Sequence, residues 1–428
     1  MQMSFALLGK RRFLPLFVTQ FLGAMNDNLF KNAMVLFVIY ELYRDPKQEE
    51  IFSGVATAIS ILPFFLLSAL AGQLADANDK AKMIRIVKTA EIGIMIVGAI
   101  GLLLASIPIM LLALFALGVH SSFLGPIKYA ILPQHLHNDE VLGGTGLVEA
   151  GTYIAILTGT ILGGVIGHQT AAVLILVLAG LGWFAGREVP PALPVGTDHA
   201  IDWNIFRASW RVVAATMKVK RLFLAIISIS FFWTIGAVLF VQFPPLVKNV
   251  LTADKSVASL FLAIFSVGIA IGSVAINRLL KGEVSARYGP ASVVVMGGFV
   301  LAFHFVARNW VVDTSGTLYN FWEFIAHPGA IPLVVCLLGI ATSGGMFVVP
   351  LYAFLTTTVD KSETARTVGA NNLVNAGCMV GGCAIALGLS AMGVSAVDQF
   401  IMTAGMCLVS AWLASLLHKA CKTSDCTA

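Results

Sequence analysis

Four charged side chains lie inside long apolar stretches of the sequence: Asp27, Lys31, Lys128 and Glu149. A charge in such a stretch is costly, so it indicates a functional role unless a partner neutralises it. Asp27 and Lys31 are four residues apart, so a helix places them on one face, where they can pair. Carboxylates bind cationic groups and lysines bind anionic ones. The alternative is structural: Lys31 only neutralises Asp27, and Lys128 and Glu149 lock two helices together.

Three asparagines, Asn371, Asn372 and Asn375, cluster in an apolar stretch near the C-terminus. In lipid such amides either bind a ligand or hydrogen-bond across helices, and both interpretations stay open.

Three further polar residues have a simpler interpretation. Lys88 and Glu91 lie near the end of an apolar stretch, where we expect them to pair or to extend towards the lipid headgroups. We expect His120 to be a hydrogen-bonded structural residue rather than a proton relay.

The composition indicates which elements must hold these residues. The chain has 428 residues, of which 58% are hydrophobic and only 11% are charged. A soluble domain carries about 25% charged residues, so a chain this poor in charge belongs in a membrane. Only helices satisfy their own backbone over such runs in lipid, so we predict an all-α membrane protein with about twelve spans. The predicted spans are residues 13–42, 51–74, 83–105, 107–133, 143–167, 170–187, 221–248, 255–280, 286–307, 330–358, 364–389 and 394–418.

Basic residues in the loops indicate the orientation of the chain. Most of the 27 Lys and Arg fall on the same side as the N-terminus, and cytoplasmic loops carry such an excess. We therefore expect both termini in the cytoplasm. The basic residues on the opposite side are few: Arg44, Lys47, Lys248, Lys255 and Arg308.

A long polar connection, residues 188–220, divides the sequence. Basic residues lie off its apolar stripe, so we expect an amphipathic helix on the anionic cytoplasmic membrane surface. A plain surface linker is the alternative. The stripe recurs at steps of three and four residues: Trp203, Phe206, Trp210, Val213 and Met217.

The two sides of this connection repeat each other. Residues 147–151 (Leu-Val-Glu-Ala-Gly) match residues 373–377 (Leu-Val-Asn-Ala-Gly). This indicates a duplicated six-helix half, and two such halves that rock around a midplane site fit a transporter. The predicted boundaries are 1–187 for the first half, 188–220 for the linker and 221–428 for the second half. Residues shortly before each match are also alike: Pro126 and Tyr129, and Pro350 and Tyr352.

The loop after the second predicted helix carries Gly72-Gln73-Leu74-Ala75-Asp76, followed by Lys80. It resembles the Gly-x-Leu-Ala-Asp signature of the major facilitator superfamily, although Asp79 stands where a Gly often follows. We expect Gly72 to permit close helix packing, Asp76 to cap the next helix and Lys80 to help latch a cytoplasmic gate.

Four further motifs occur in the predicted spans: Ala24-Met25-Asn26-Asp27-Asn28, Gly125-Pro126-Ile127-Lys128-Tyr129, Gly146-x-x-Glu149 and Gly345-Met346-Phe347-Val348-Val349-Pro350-Leu351. In that order they resemble one branch of the superfamily, the lysophospholipid transporter family LplT, over nearly the whole chain. The resemblance implies that lysophospholipids such as lysophosphatidylethanolamine move from the periplasmic to the cytoplasmic leaflet of a Gram-negative inner membrane. It also implies a functional partner on the cytoplasmic side, an acyltransferase/acyl-carrier-protein synthetase. Lys31 and Phe240 depart from the pattern of some relatives.

The implied substrate has a phosphate, an ammonium group and one acyl chain. We predict that Lys128, and second Lys31, bind the phosphate, and that Glu149 and Asp27 bind the ammonium. The remaining predicted binding residues supply hydrogen bonds: Asn28, Tyr129, Asn371, Asn372 and Asn375.

Three other functions fit the sequence less well than lysophospholipid transport. A proton-coupled exporter of drugs or small metabolites has the same fold, but Gly164 stands where the drug antiporter pattern has Pro. A membrane acyltransferase commonly uses His-x₄-Asp, whereas His135 is followed at that spacing by Glu140. The repeated halves with buried charges disfavour a receptor or scaffold. We therefore expect a monomeric transporter with no enzymatic activity, no cofactor and no metal.

The predicted outer connection 309–329 is rich in aromatic residues. They are typical of an aromatic belt at the membrane surface, and the alternative is a segment that helps lipid reach the site from the outer leaflet. The aromatic residues are Trp310, Tyr319, Phe321, Trp322 and Phe324.

Overall fold

The computed structural model describes residues 6–137, 140–194, 201–280, 285–311, 317–357 and 364–425, apart from some side chains within them. In this part of the chain, twelve helices of 20 or more residues follow one another. The first six are Leu14–Phe37 (α1), Pro46–Ala77 (α2), Lys80–Leu103 (α3), Ile107–Ala130 (α4), Val141–Val165 (α5) and His168–Arg187 (α6). The second six are Lys220–Asn249 (α7), Lys255–Leu279 (α8), Gly289–Arg308 (α9), Ala330–Thr357 (α10), Thr364–Ala391 (α11) and Ala396–Asp425 (α12).

The predicted all-α membrane fold is confirmed. Ten helices in the described ranges are long and apolar enough to cross a membrane. The two others are α1, which carries several amides and charges, and α5, whose apolar part is Ile154–Val165. The described residues form no β-strand, only one isolated bridge between Ala253 and Tyr319. Each predicted span corresponds to one of the twelve helices, because long apolar runs in lipid must be helical to satisfy their backbone.

The chain folds into two compact units. The first extends to Val38 and from Leu62 to Ala208, and the second comprises Ile39–Ile61 and the chain from Ser209 onward. Helix α2 therefore contributes to both. The chain changes unit three times: in the π-helix Val38–Leu42 that continues α1, just before Pro63 inside α2, and within the linker helix between Ala208 and Ser209. At the first two of these places the regular helical hydrogen bonding is interrupted.

In the first unit, α1 packs against α5 and α6, and α3 packs against α4 and α6. Small residues allow close approach at a run of three glycines four residues apart, Gly159, Gly163 and Gly167. A Cβ at Gly159 would meet the carbonyl oxygen of Met25, and one at Gly163 would lie 2.9 Å from the amide nitrogen of Ala33. Gly167, the third glycine of the run, meets nothing within 4 Å because it precedes α6 as its N-cap.

In the second unit, α8 packs on α10, α9 on α10 and α12, and α7 on α11 and α12. The tightest seam joins α8 and α10, where a Cβ at Gly272 would meet the carbonyl oxygen of Thr342. Gly381 on α11 makes no close helix contact, since nothing lies within 4 Å of a Cβ there. Its neighbour Gly382 makes the close contact instead, with the side chain of Thr234 on α7.

The linker contains the predicted amphipathic helix, Ile205–Met217. Trp203, Phe206 and Trp210 are 69%, 69% and 74% exposed, so the apolar stripe is not covered by the protein. Arg207 pairs with Asp202 at 2.7 Å at the beginning of this helix.

The connection between α9 and α10 packs back on the second unit through part of its aromatic cluster. Trp310 stacks on His327 with ring centroids 3.9 Å apart and on Phe324 at 5.6 Å. The amide of Tyr319 donates to the carbonyl of Thr252 at 2.7 Å. Trp322, on the short helix Phe321–Ala326, is 76% exposed.

Candidate functional site

A cluster of ionisable side chains lies inside the first unit. Lys88 and Glu91, one turn apart on α3, form an ion pair in which neither side chain is accessible. Nε2 of His120 on α4 lies 3.1 Å from Oε2 of Glu91. Nδ2 of Asn26 on α1 donates to the other carboxylate oxygen at 3.2 Å. The expectation that Lys88 and Glu91 pair is confirmed, and three helices contribute to the cluster.

Glycines make room for the Lys88 side chain. A Cβ at Gly182 on α6 would lie 2.9 Å from Nζ of Lys88, and one at Gly23 on α1 would lie 3.4 Å from it. At Gly186 a Cβ would lie 3.3 Å from Cγ of Lys88. Larger residues on α1 and α6 would therefore displace the ammonium group from Glu91.

The cluster continues to Asp27 through a serine. Oγ of Ser121 donates to Oδ2 of Asp27 at 2.6 Å and lies 3.4 Å from Nδ1 of His120. Oδ1 of Asp27 is buried and accepts no hydrogen bond from the described residues. The first unit thus contains a chain of polar contacts from Glu91 through His120 and Ser121 to Asp27, which we call the unit 1 polar chain.

The other predicted residues of this unit are placed as follows. Asn28 donates to the carbonyl of Ala24 in its own helix at 2.8 Å. Lys31 lies one turn beyond Asp27 and is half-buried, as is Lys128 in the last turn of α4. The side chains of Tyr129 and Glu149 fall outside the described part of the structure, so their predicted roles stay predictions.

A second polar cluster lies inside the second unit and is built from neutral groups. Oγ of Ser230 on α7 donates to Oδ1 of Asn375 on α11 at 2.7 Å. The indole Nε1 of Trp233 donates to the hydroxyl of Tyr352 on α10 at 2.7 Å, and Nδ2 of Asn375 lies 3.4 Å from that hydroxyl. Three helices therefore meet at Asn375, and we call these four residues the unit 2 neutral cluster.

Asn371 and Asn372 lie one turn before this cluster on α11. Asn371 is fully buried, whereas Asn372 is exposed. Nδ2 of Asn371 donates to Oδ1 of Asn372 at 3.4 Å, and Oδ1 of Asn371 accepts no hydrogen bond from the described residues. The structure thus brings Asn371 and Asn375 to one face of α11, because residues four apart on a helix are neighbours.

A third polar cluster, built around an ion pair, fastens the beginning of α2 within the second unit. Nζ of Lys248 on α7 lies 2.5 Å from Oε1 of Glu49, and Nδ2 of Asn249 donates to the other oxygen at 2.6 Å. The same ammonium donates to the carbonyls of Ile39 and Tyr43. The prediction placed Lys248 only in an outer loop, and nothing in the spacing connects it with Glu49, almost 200 residues earlier.

The predicted gating loop is arranged differently from the expectation. Asp79, not Asp76, caps α3, since its carboxylate accepts from the amides of Ala81 at 3.0 Å and Ala192 at 2.9 Å. Asp76 lies within the last turn of α2, so it cannot cap the next helix. A Cβ at Gly72 would meet nothing within 4 Å, so close packing does not explain this glycine. Lys80 is buried, and its amide donates to the Ala192 carbonyl at 3.0 Å.

A surface ion pair joins the N-terminal segment to the beginning of α5. Nη2 of Arg12 lies 2.7 Å from Oε1 of Glu140. The His137 amide donates to this carboxylate at 3.0 Å and, together with Arg12, holds the pKa of Glu140 below its usual value. This group lies outside the spanning helices.

Sequence reasoning missed Ser121, Ser230, Trp233 and Tyr352. Serine and tryptophan are common in membrane helices, so single positions carry little signal. Tyr352 did carry a signal, because the internal repeat matches it, with a slip of one residue, to Tyr129, a predicted binding residue.

Comparison with known proteins places the chain in a family. A model described as the Major Facilitator Superfamily matches residues 16–382. The lysophospholipid transporters LplT of Salmonella newport and Salmonella typhimurium are each 26% identical to the chain over 369 residues, covering 84% of this chain and 82% of theirs.

Solved structures agree on the fold. The nucleoside transporter NupG has a TM-score of 0.68 at 15% identity, covering 95% of this chain and 100% of its own. A bacterial homologue of the human lysosomal transporter Spinster has a TM-score of 0.68 at 13% identity, covering 96% of this chain and 97% of its own. Since the family model spans most of the twelve-helix chain, the protein belongs to the Major Facilitator Superfamily and is a multi-pass membrane transporter.

Proposed function

We propose that this protein is a lysophospholipid transporter that moves lysophospholipids, such as lysophosphatidylethanolamine, from the periplasmic to the cytoplasmic leaflet of a Gram-negative inner membrane. It works by alternating access, the mode typical of transporters built from repeated helical halves. The observation that carries the substrate assignment is the similarity to proteins named LplT over 84% of the chain.

The ionisable groups of the first unit fit such a headgroup. Lys128 on α4 and Lys31 on α1 are half-buried cations that can bind the phosphate. Asp27 has a buried carboxylate oxygen that accepts no hydrogen bond from the described residues, and a primary ammonium can donate to it. A buried acceptor without a donor is costly unless a ligand supplies one.

The orientation in the membrane and the partner enzyme belong to the same proposal of lysophospholipid transport. Both termini lie in the cytoplasm, as the basic loop residues indicate. The transported lysophospholipid is then reacylated by an acyltransferase/acyl-carrier-protein synthetase on that side, so the protein takes part in phospholipid remodelling without catalysing a reaction itself. Lys80 and Asp76 help control the cytoplasmic gate, with Asp79 fixing the beginning of α3.

A second function, proton-coupled export of drugs or metabolites, is favoured by the unit 1 polar chain. Glu91, His120, Ser121 and Asp27 connect titratable groups through contacts of 2.6–3.4 Å. A histidine between two carboxylates is the kind of arrangement that moves protons near neutral pH.

One transport experiment separates the two functions. The purified protein is reconstituted, and uptake of labelled lysophosphatidylethanolamine, lysophosphatidylglycerol and lysophosphatidylcholine is measured with and without a proton gradient. We expect uptake of at least one lysophospholipid that survives an uncoupler. No uptake of any of the three would reject the lysophospholipid function, and uptake abolished by the uncoupler would favour proton coupling.

A further inference from the structure

The unit 2 neutral cluster, Ser230, Trp233, Tyr352 and Asn375, has a chemistry different from that of the unit 1 polar chain. Its hydrogen bonds join a hydroxyl, an indole, a phenol and an amide. The internal repeat aligns Asn375 with Glu149, so the second half has an amide where the first half has a carboxylate. Neutral donors and acceptors suit a neutral hydroxyl group better than a phosphate or an ammonium.

Asn371 lies one turn before Asn375 on α11, and its side-chain oxygen Oδ1 is a hydrogen-bond acceptor. Its side chain is fully buried, yet its Oδ1 accepts no hydrogen bond from the described residues. A hydroxyl has both a donor and acceptors, so a bound hydroxyl could donate to Asn371 and accept from a neighbouring group. Residues next to Asn371 are accessible, since Trp233 and Tyr352 are half-buried and Asn372 is exposed.

Gln242 provides an internal comparison. It is also buried, and its Oε1 also accepts no hydrogen bond from the described residues. However, its amide nitrogen donates to Gln399 at 3.0 Å, and Gln399 is buried as well. Gln242 lies twelve residues along α7 from Ser230, which is about 18 Å at the rise of a helix.

A lysophospholipid differs from a diacyl phospholipid by one free hydroxyl on its glycerol. We propose that Asn371, held beside the unit 2 neutral cluster, binds this glycerol hydroxyl and thereby selects one-chain over two-chain phospholipids. The proposal rests on the proposed function, since it names the group of the substrate that this part of the second unit recognises. A diacyl lipid carries an ester there, which can accept but cannot donate to the Asn371 oxygen.

The test compares two lipids on the same reconstituted protein. One is lysophosphatidylethanolamine, and the other is its 2-deoxy analogue, in which hydrogen replaces the glycerol hydroxyl. We expect the wild-type protein to take up the analogue about tenfold more slowly, as expected for losing one hydrogen bond to a buried acceptor. In Asn371→Leu, the two lipids should be taken up at equal rates, because the acceptor is gone.

The matched control is Gln242→Leu, which removes another buried amide from the same unit. It should keep the roughly tenfold preference of the wild-type protein. If Asn371→Leu does not fold, Asn371→Ala and the wild-type comparison still decide the question. Equal wild-type rates for the two lipids, or loss of the preference in Gln242→Leu alone, would overturn the hydroxyl proposal. If the wild-type protein transports neither lipid, the proposed function itself fails.

Discussion

His120 and Glu91 face each other from neighbouring helices, with Nε2 of His120 3.1 Å from Oε2 of Glu91 and both side chains almost inaccessible. Lys88 pairs with the same carboxylate, and Asn26 donates to its other oxygen. One acid thereby holds groups from α1, α3 and α4. The desolvation cost of burying charges largely cancels their mutual attraction. Removing one member of such a cluster destabilises the protein strongly, because it leaves a buried charge without its partner.

Replacing Lys88 by Met should destabilise the protein by about 3–5 kcal/mol, because Glu91 would keep a buried charge without its main partner. The measurement is thermal unfolding of the detergent-solubilised protein. The control is Arg308→Gln, which breaks an exposed pair with Asp398 at 3.3 Å and should change stability by less than about 1 kcal/mol. Equal unfolding temperatures for Lys88→Met and the wild type would contradict the interpretation of the cluster as an ion pair.

The ion pair between Glu49 and Lys248 should show strong coupling in a double-mutant cycle. Glu49→Gln and Lys248→Met each leave one buried group without its partner, so the double variant should be more stable than the sum of the two changes predicts. We expect a coupling of about 0.5–3 kcal/mol, as is typical of residues in direct contact. Strictly additive changes in unfolding free energy would show that the pair does not fasten the beginning of α2.

The seam between α1 and α5 should be sensitive to the size of one residue. Gly159→Val places methyl groups where the Met25 carbonyl lies, so it should destabilise the protein by about 1–3 kcal/mol or prevent its folding. Gly180→Val on α6 is the matched control, since nothing lies within 4 Å of a Cβ there. The yield of monodisperse protein in detergent distinguishes them, and equal yields would argue against the close approach.

The linker helix should lie in the lipid headgroup region. In single-tryptophan variants, Trp203 and Trp210 should be quenched by brominated lipids, because both side chains are exposed on the apolar stripe. Trp310 serves as the comparison, since it is 8% exposed and stacks between His327 and Phe324. If Trp203 and Trp210 were quenched by aqueous iodide and not by brominated lipid, the helix would be a plain surface linker.

The positions of the helices could be predicted because lipid imposes a strict rule on the sequence. A long apolar run must be helical, so the bounds of α3 and α6 follow from hydropathy to within a few residues. The pairing of Lys88 with Glu91 was also predictable, since i and i+3 residues are neighbours on a helix. In these cases the relevant contacts are local in sequence.

The remaining site geometry depends on contacts that are distant in sequence. The full burial of Lys88 requires Gly23 and Gly182 on two other helices. The bond from Ser230 to Asn375 joins residues 145 positions apart. The resemblance predicted that Asp76 caps α3. Because α2 continues to Ala77, Asp76 is still helical and Asp79 caps α3 instead. Only the packing of the helices determines which polar residues meet.

The most direct test of the account measures the movement of a lysophospholipid between leaflets. Fluorescent lysophosphatidylethanolamine is added outside proteoliposomes, and the fraction that albumin cannot extract is followed over time. The account predicts a protected fraction that grows with the wild-type protein and with Lys82→Ala, an exposed control, but much more slowly with correctly inserted Lys128→Ala. Protection no faster than in protein-free vesicles, or wild-type rates in Lys128→Ala, would contradict lysophospholipid transport or the headgroup role of Lys128, respectively.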